Sequence, residues 1–186
     1  MQDVEHGYSE QQRSELLNLA RQTITARLGL ASKIPGRTSD PVLLEPRGLF
    51  VTLRKGEALR GCIGQVESQS PLWDTVPEMA LAAAFQDPRF PPLGAAETGD
   101  VTIEISVLTP LSKVTDPNEI EIGRHGLMIE KSGLSGLLLP QVASSRNWDT
   151  LTFVRETCVK ARLSPDEWKS GATLWKFEAE IIEETT

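Results

Sequence analysis

Apolar residues recur at helical spacing at Leu16, Leu17, Ala20, Ile24 and Leu28, behind Ser9 and Gln12, which stand at the spacing of a capping box. Gly29 supplies a stop, so the pattern predicts an amphipathic helix over 9–28. The following "ASKIPGRTSDPVLLEPRG" is rich in Pro, Gly and Ser and reads as a long surface connection. "GLFVTLRK" and "ALRGCIGQV" are β-rich runs about a short turn of Lys55, Gly56 and Glu57, the form of a hairpin that puts Cys62 on a strand. Ser70 and Pro71 then open a helix running to Phe85, with a kink or restart expected at Pro77, which lacks a backbone donor.

The run "VTIEISVL" alternates cleanly: Val101, Ile103, Ile105 and Val107 share one face, Thr102, Glu104 and Ser106 the other. Further strands are predicted over 126–131, 134–139 and 173–182, with helices around 148–162 and 165–170. Hairpins and isolated helices without repeating strand–helix–strand units indicate an α+β fold with a largely antiparallel sheet flanked by helices.

Composition narrows the function classes. The chain has 186 residues, 39% hydrophobic and 24% charged, with a net charge of -7, as expected of a globular protein. No apolar run reaches the ~20 residues of a membrane span, and the N-terminus lacks a secretory pattern, so a cytoplasmic location is expected by default. The acidic balance argues against nucleic acid as a partner. Cys62 and Cys158 are expected to be free thiols, with Cys158 packing on a helix face. No close pair of Cys or His suits a structural zinc site, and the common nucleotide-binding and hydrolase fingerprints are absent.

The candidate chemistry centres on "EALRGCIGQVE". On a regular strand Arg60 and Cys62 share a face, with Cα atoms about 7 Å apart, and a cation at that range favours a thiolate. The alternative is packing, because free cysteine is among the most buried residues and glycines such as Gly61 and Gly64 also serve close contacts. His125, in "GRHGL", is a candidate proton acceptor, or a turn histidine serving local backbone bonds; His6 is the other histidine. Glu104 on its polar strand face offers a carboxylate or is solvated. Arg89, in the proline-stiffened "QDPRFPP", suits an anion contact through its forked donors, or marks a helix stop.

Taken in order, "LRGCIG", "DPRFPP", "EISVLTP", "HGL" and "GLLLPQVA" resemble the AMMECR-type domain family, which includes AmmeMemoRadiSam system protein A. The resemblance implies one domain over 1–186, with an N-terminal helix and connection over 1–39 and a motif-bearing body over 40–186. It implies an α+β fold in two unequal lobes, with "LRGCIG" near a cleft. It names no cofactor and no established reaction, and it associates the family with a Memo-like protein and a radical S-adenosylmethionine enzyme as partners. Two functions are therefore expected alternatives. One is an enzyme or modification factor using Cys62, with His125 or Glu104 in proton transfer and Arg60 and Arg89 binding substrate; the other is a non-catalytic subunit binding those partners. One departure from the family pattern is Arg162, which stands where a glycine is usual in "CVKARL" and penalises a left-handed helix cap.

Overall fold

The computed structural model describes residues 7–31 and 33–185. The chain divides into two compact units, a larger one of Met1–Leu108 with Glu180–Thr186 and a smaller one of Thr109–Ala179.

The larger unit begins with α1 (Glu10–Arg27), capped by Ser9 and Gln12 in the reciprocal pattern read from the sequence and followed by Gly29 at a φ of 72°. Strands β1 (Leu49–Lys55) and β2 (Ala58–Gln65) form the hairpin. Helix α2 (Leu72–Phe85) then leads to β3 (Val101–Leu108), which pairs antiparallel with β1 in unbroken register, giving the order β2-β1-β3. Leu49, Val51 and Leu53 of β1 and Ile103 and Ile105 of β3 are fully or almost fully buried with Leu16, Leu19 and Ile24 of α1 and Val76 and Ala80 of α2. Each such aliphatic side chain contributes about 1.5–3 kcal/mol on leaving water.

Two expectations change here. Pro71, not Ser70, is the N-cap of α2, and the helix runs through Pro77 unbroken. Its leading N–H groups are satisfied by the connection, since Leu72 donates to the Glu45 carbonyl at 2.9 Å and Trp73 to that of Leu43 at 3.0 Å. The segment read as a surface connection therefore anchors the helix, and Leu43 is fully buried.

The smaller unit holds the short β4 (Ser112–Lys113), then β5 (His125–Lys131) and β6 (Leu134–Leu138). Helices α3 (Pro140–Ser145) and α4 (Thr150–Lys160) follow, and β7 (Thr173–Glu183) pairs with both β5 and β4 before returning to the larger unit. Its core gathers Leu127, Ile129, Phe153, Val154, Cys158 and Leu174. The helix expected over 148–162 is thus shorter, α3 precedes it unforeseen, and 165–170 forms only a 3-10 turn at Glu167–Lys169. The pairs β1–β2, β1–β3, β4–β7, β5–β6 and β5–β7 are all antiparallel, which together with the helices makes the fold α+β.

At the end of α4, Arg162 takes the left-handed conformation with a φ of 61°. Its N–H reaches the Val159 carbonyl at 2.9 Å, and that of Leu163 reaches the Cys158 carbonyl at 2.9 Å, completing a Schellman motif. The missing glycine leaves the cap geometry in place; arginine adopts it at a steric cost of about 1 kcal/mol.

Candidate functional site

Cys62 lies on β2, the outer strand of the β2-β1-β3 order, directly opposite Thr52 of β1. Its backbone N–H donates to the Asp87 carboxylate at 2.9 Å, and its carbonyl accepts from Nη2 of Arg89 at 3.2 Å. Both backbone groups therefore face away from β1, which makes Cys62 and Thr52 a pair without mutual backbone bonds and brings their side chains close. The Thr52 hydroxyl donates to the Cys62 sulfur at 3.3 Å. Thr52 is buried, whereas Cys62 is partly exposed.

The Asp87–Arg89 turn follows α2 directly. Asp87 accepts from the Arg89 backbone at 3.1 Å and from its Nε and Nη2 at 2.9 and 2.7 Å, besides the Cys62 N–H. These donors, the Arg89 guanidinium first, hold the buried Asp87 carboxyl far below the usual range. Arg89 is held charged chiefly by Asp87 and more weakly by Cys62, and its guanidinium lies over the Phe90 ring at 5.5 Å. One ion pair thus closes the open edge of the strand at the cysteine, which also protects that edge from pairing with another chain.

The arginine expected beside Cys62 lies elsewhere. The register shifts between Leu53 and Arg54, so that Leu53 faces Gly61 while Arg54 faces Leu59, and Arg60 becomes the extra residue of a β-bulge. The two-residue alternation from Arg60 to Cys62 is broken. Arg60 instead grips Glu97 through Nε and Nη2, both at 2.9 Å, and lowers the Glu97 carboxyl to about 2. The arginine on the Cys62 face is Arg54, two residues along β1 from Thr52, whose Nε donates to Glu104 at 3.2 Å.

Glu104 faces Thr52 from the other side, so Cys62, Thr52 and Glu104 form one row across β2, β1 and β3. The two ends of this row are separated by two strand spacings, about 10 Å between Cα atoms. Glu104 can therefore reach the thiol only through Thr52 or solvent. The glycines of the motif have packing roles. A Cβ on Gly61 would stand 2.2 Å from the Ala83 carbonyl oxygen of α2, and one on Gly64 would meet the Phe50 ring at 2.4 Å.

His125, in the smaller unit, opens β5 and is buried. Its Nδ1 accepts the Glu121 N–H at 2.9 Å, so the neutral ring carries its proton on Nε2. Burial, then Lys176, lowers its pKa. His6 lies outside the described residues. Cys158 is a fully buried free thiol whose pKa is raised by burial.

Sequence reasoning missed Thr52, Arg54 and Asp87. Thr52 carries a signal, a hydroxyl amid the apolar residues of "LFVTLRK", and Asp87 stands two positions before Arg89.

Among the described residues no helix is long and apolar enough to cross a membrane. The AMMECR1 family model matches residues 17–182. A protein of Methanosarcina acetivorans is 41% identical over 178 residues, covering 90% of this chain and 89% of its own length. A relative from Methanopyrus kandleri is 44% identical, covering 91% of this chain and 86% of its own length. The crystal structure of an uncharacterized protein from Pyrococcus horikoshii is similar with a TM-score of 0.83 and 41% identity, over 91% of this chain and 89% of that one.

Proposed function

This chain belongs to the AMMECR1 family, and we propose that it is an enzyme or modification factor whose reactive group is the Cys62 thiol. One observation carries this reading: Cys62 is partly exposed, its backbone is fixed on both sides by Asp87 and Arg89, and its sulfur accepts from the buried Thr52 hydroxyl at 3.3 Å. A nucleophile needs a fixed position, access to a substrate and a donor or cation near the sulfur as its proton leaves. In this reading Arg89 contacts substrate, and Glu104 relays a proton through Thr52 or solvent. His125 takes no proton in this reading, since Nδ1 of its neutral ring already accepts the Glu121 N–H and Nε2 carries the ring proton. Arg60, bound to Glu97 on two nitrogens, steadies the bulge rather than the substrate. The family resemblance adds the setting, a system that includes a Memo-like protein and a radical S-adenosylmethionine enzyme.

The packing roles of Gly61 and Gly64 favour a second reading, in which the motif maintains the fold of a subunit that binds those partners without chemistry. The two readings separate on Cys62→Ser, which abolishes a thiol-dependent activity but leaves partner binding intact. The test of the first is alkylation of the folded chain by iodoacetamide at pH 7. The reading expects Cys62 to react faster than in the unfolded chain; a rate no higher removes it.

A further inference from the structure

Three arginine–carboxylate pairs surround the Cys62 strand, and they differ in which charge meets solvent. In Arg89–Asp87 the arginine side chain is 54% exposed and the carboxylate 2%. In Arg54–Glu104 the values are 41% and 13%, so again the cation lies outward over a sheltered anion. Arg60–Glu97 is reversed, at 11% and 31%. A ligand approaching Cys62 therefore meets two cations first, even though each pair is neutral as a whole.

Arg54 is the better placed to take a ligand. Glu104 engages it through Nε alone, and its two terminal nitrogens have no hydrogen-bond partner among the described residues. Their fork is spaced for the two oxygens of a carboxylate. Arg54 is also diagonal to Cys62 across β1 and β2, about 7–8 Å between Cα atoms, and its Nε is turned to Glu104 on β3, so a ligand joining its terminal nitrogens to the sulfur crosses over Thr52. Arg89 approaches Cys62 from the strand's open edge, at its carbonyl.

We infer that the Cys62 face takes a substrate bearing a carboxylate, which the terminal nitrogens of Arg54 hold beside the sulfur while the exposed guanidinium of Arg89 adds a second positive contact. This assignment rests on the reading of Cys62 as the reactive group and names the chemical class of its substrate.

The probes are iodoacetate and iodoacetamide, which alkylate sulfur with loss of iodide and differ chiefly in charge. The rate at the Cys62 peptide is followed by mass spectrometry in the folded and the denatured full chain, at pH 7 and low ionic strength. The iodoacetate-to-iodoacetamide ratio should be higher in the folded chain, by less than the roughly threefold of an unpaired cation about 5–6 Å away in a solvent-like dielectric, because Glu104 offsets part of the Arg54 charge. The net charge of -7 would by itself lower that ratio, so a rise requires a local positive site. Arg54→Gln should return the ratio to the denatured value, a change in thiol reactivity common to both probes cancelling in the ratio, and Arg54→Lys should restore part of it. Equal ratios in folded and denatured chains, or a ratio unmoved by Arg54→Gln, overturn the assignment. Should Arg54→Gln not fold, the wild-type ratio decides, because it must collapse near 1 M salt, where screening acts over about 3 Å. Failure of the reactive-thiol reading appears separately, as iodoacetamide labelling no faster than in the denatured chain.

Discussion

Thr52 and Cys62 face each other across β1 and β2 with the threonine hydroxyl 3.3 Å from the sulfur. Thr52 is buried, and a β-branched side chain has few rotamers, so this donor is held in place before any substrate arrives. Thr52→Val keeps the shape and removes the hydroxyl. Iodoacetamide labelling of Cys62 should fall roughly two- to tenfold, the range of a net hydrogen bond of 0.5–1.5 kcal/mol, and Thr52→Ser should restore it. An unchanged rate in the valine variant would show that the hydroxyl serves packing alone.

Asp87 is the anchor of the strand edge. Asp87→Asn weakens charge-assisted bonds to Arg89 and Cys62 and should cost about 1.5–3 kcal/mol in urea unfolding. It should also change the acid response. The folded-state pKa of Asp87 lies below its unfolded value, so its contribution is complete above the ordinary carboxylate range and is lost as pH falls below about 4. Between pH 6 and pH 3 the wild type should therefore lose more stability than the asparagine variant; parallel curves would contradict the role given to Asp87.

Gly61 is required by the approach of α2. Gly61→Ala places a methyl group 2.2 Å from the Ala83 carbonyl oxygen, a backbone atom that cannot move aside alone. The expected loss is about 3 kcal/mol or more by denaturant melt, at the upper end of overpacking costs. Gly36→Ala, with no atom within 4 Å, should change stability by less than about 0.5 kcal/mol.

Much of this architecture is legible from local pattern. The capping box of α1, the hairpin around Gly56 and the alternation of β3 through Ile105 each depend on residues within a few positions of one another, and the structure has them where the pattern puts them, while Ser106 on the polar side of β3 is buried. The site is less legible because its contacts are long-range. The bulge at Arg60 is marked in the sequence only by the neighbouring strand glycine Gly61, which fits a bulge or a close contact equally, and it takes Arg60 out of alternation with Cys62 and leaves Arg54 as the arginine on that face. The Asp87–Cys62 bond joins residues 25 apart, a closure that no strand or helix period encodes. The helix expected over 165–170 is only one 3-10 turn at Glu167–Lys169, where Asp166 and Glu167 pair with the distant Arg155 and Lys131.

Arg162 tests whether the helix cap is strained. It holds a φ of 61° within an intact Schellman motif, so Arg162→Gly should relieve about 1 kcal/mol and raise the melting temperature by roughly 2–4 °C. A fall in melting temperature would mean that the arginine side chain contributes more than its backbone costs.

The most direct measurement is the iodoacetamide labelling rate of both cysteines in the folded chain at pH 7, each compared with the same site in the denatured chain. Cys62 should label faster when folded, because Thr52 donates to its sulfur and Arg89 holds its carbonyl, while the fully buried Cys158 should be protected. A folded Cys62 that reacts no faster than the denatured one would contradict a reactive thiol at this site.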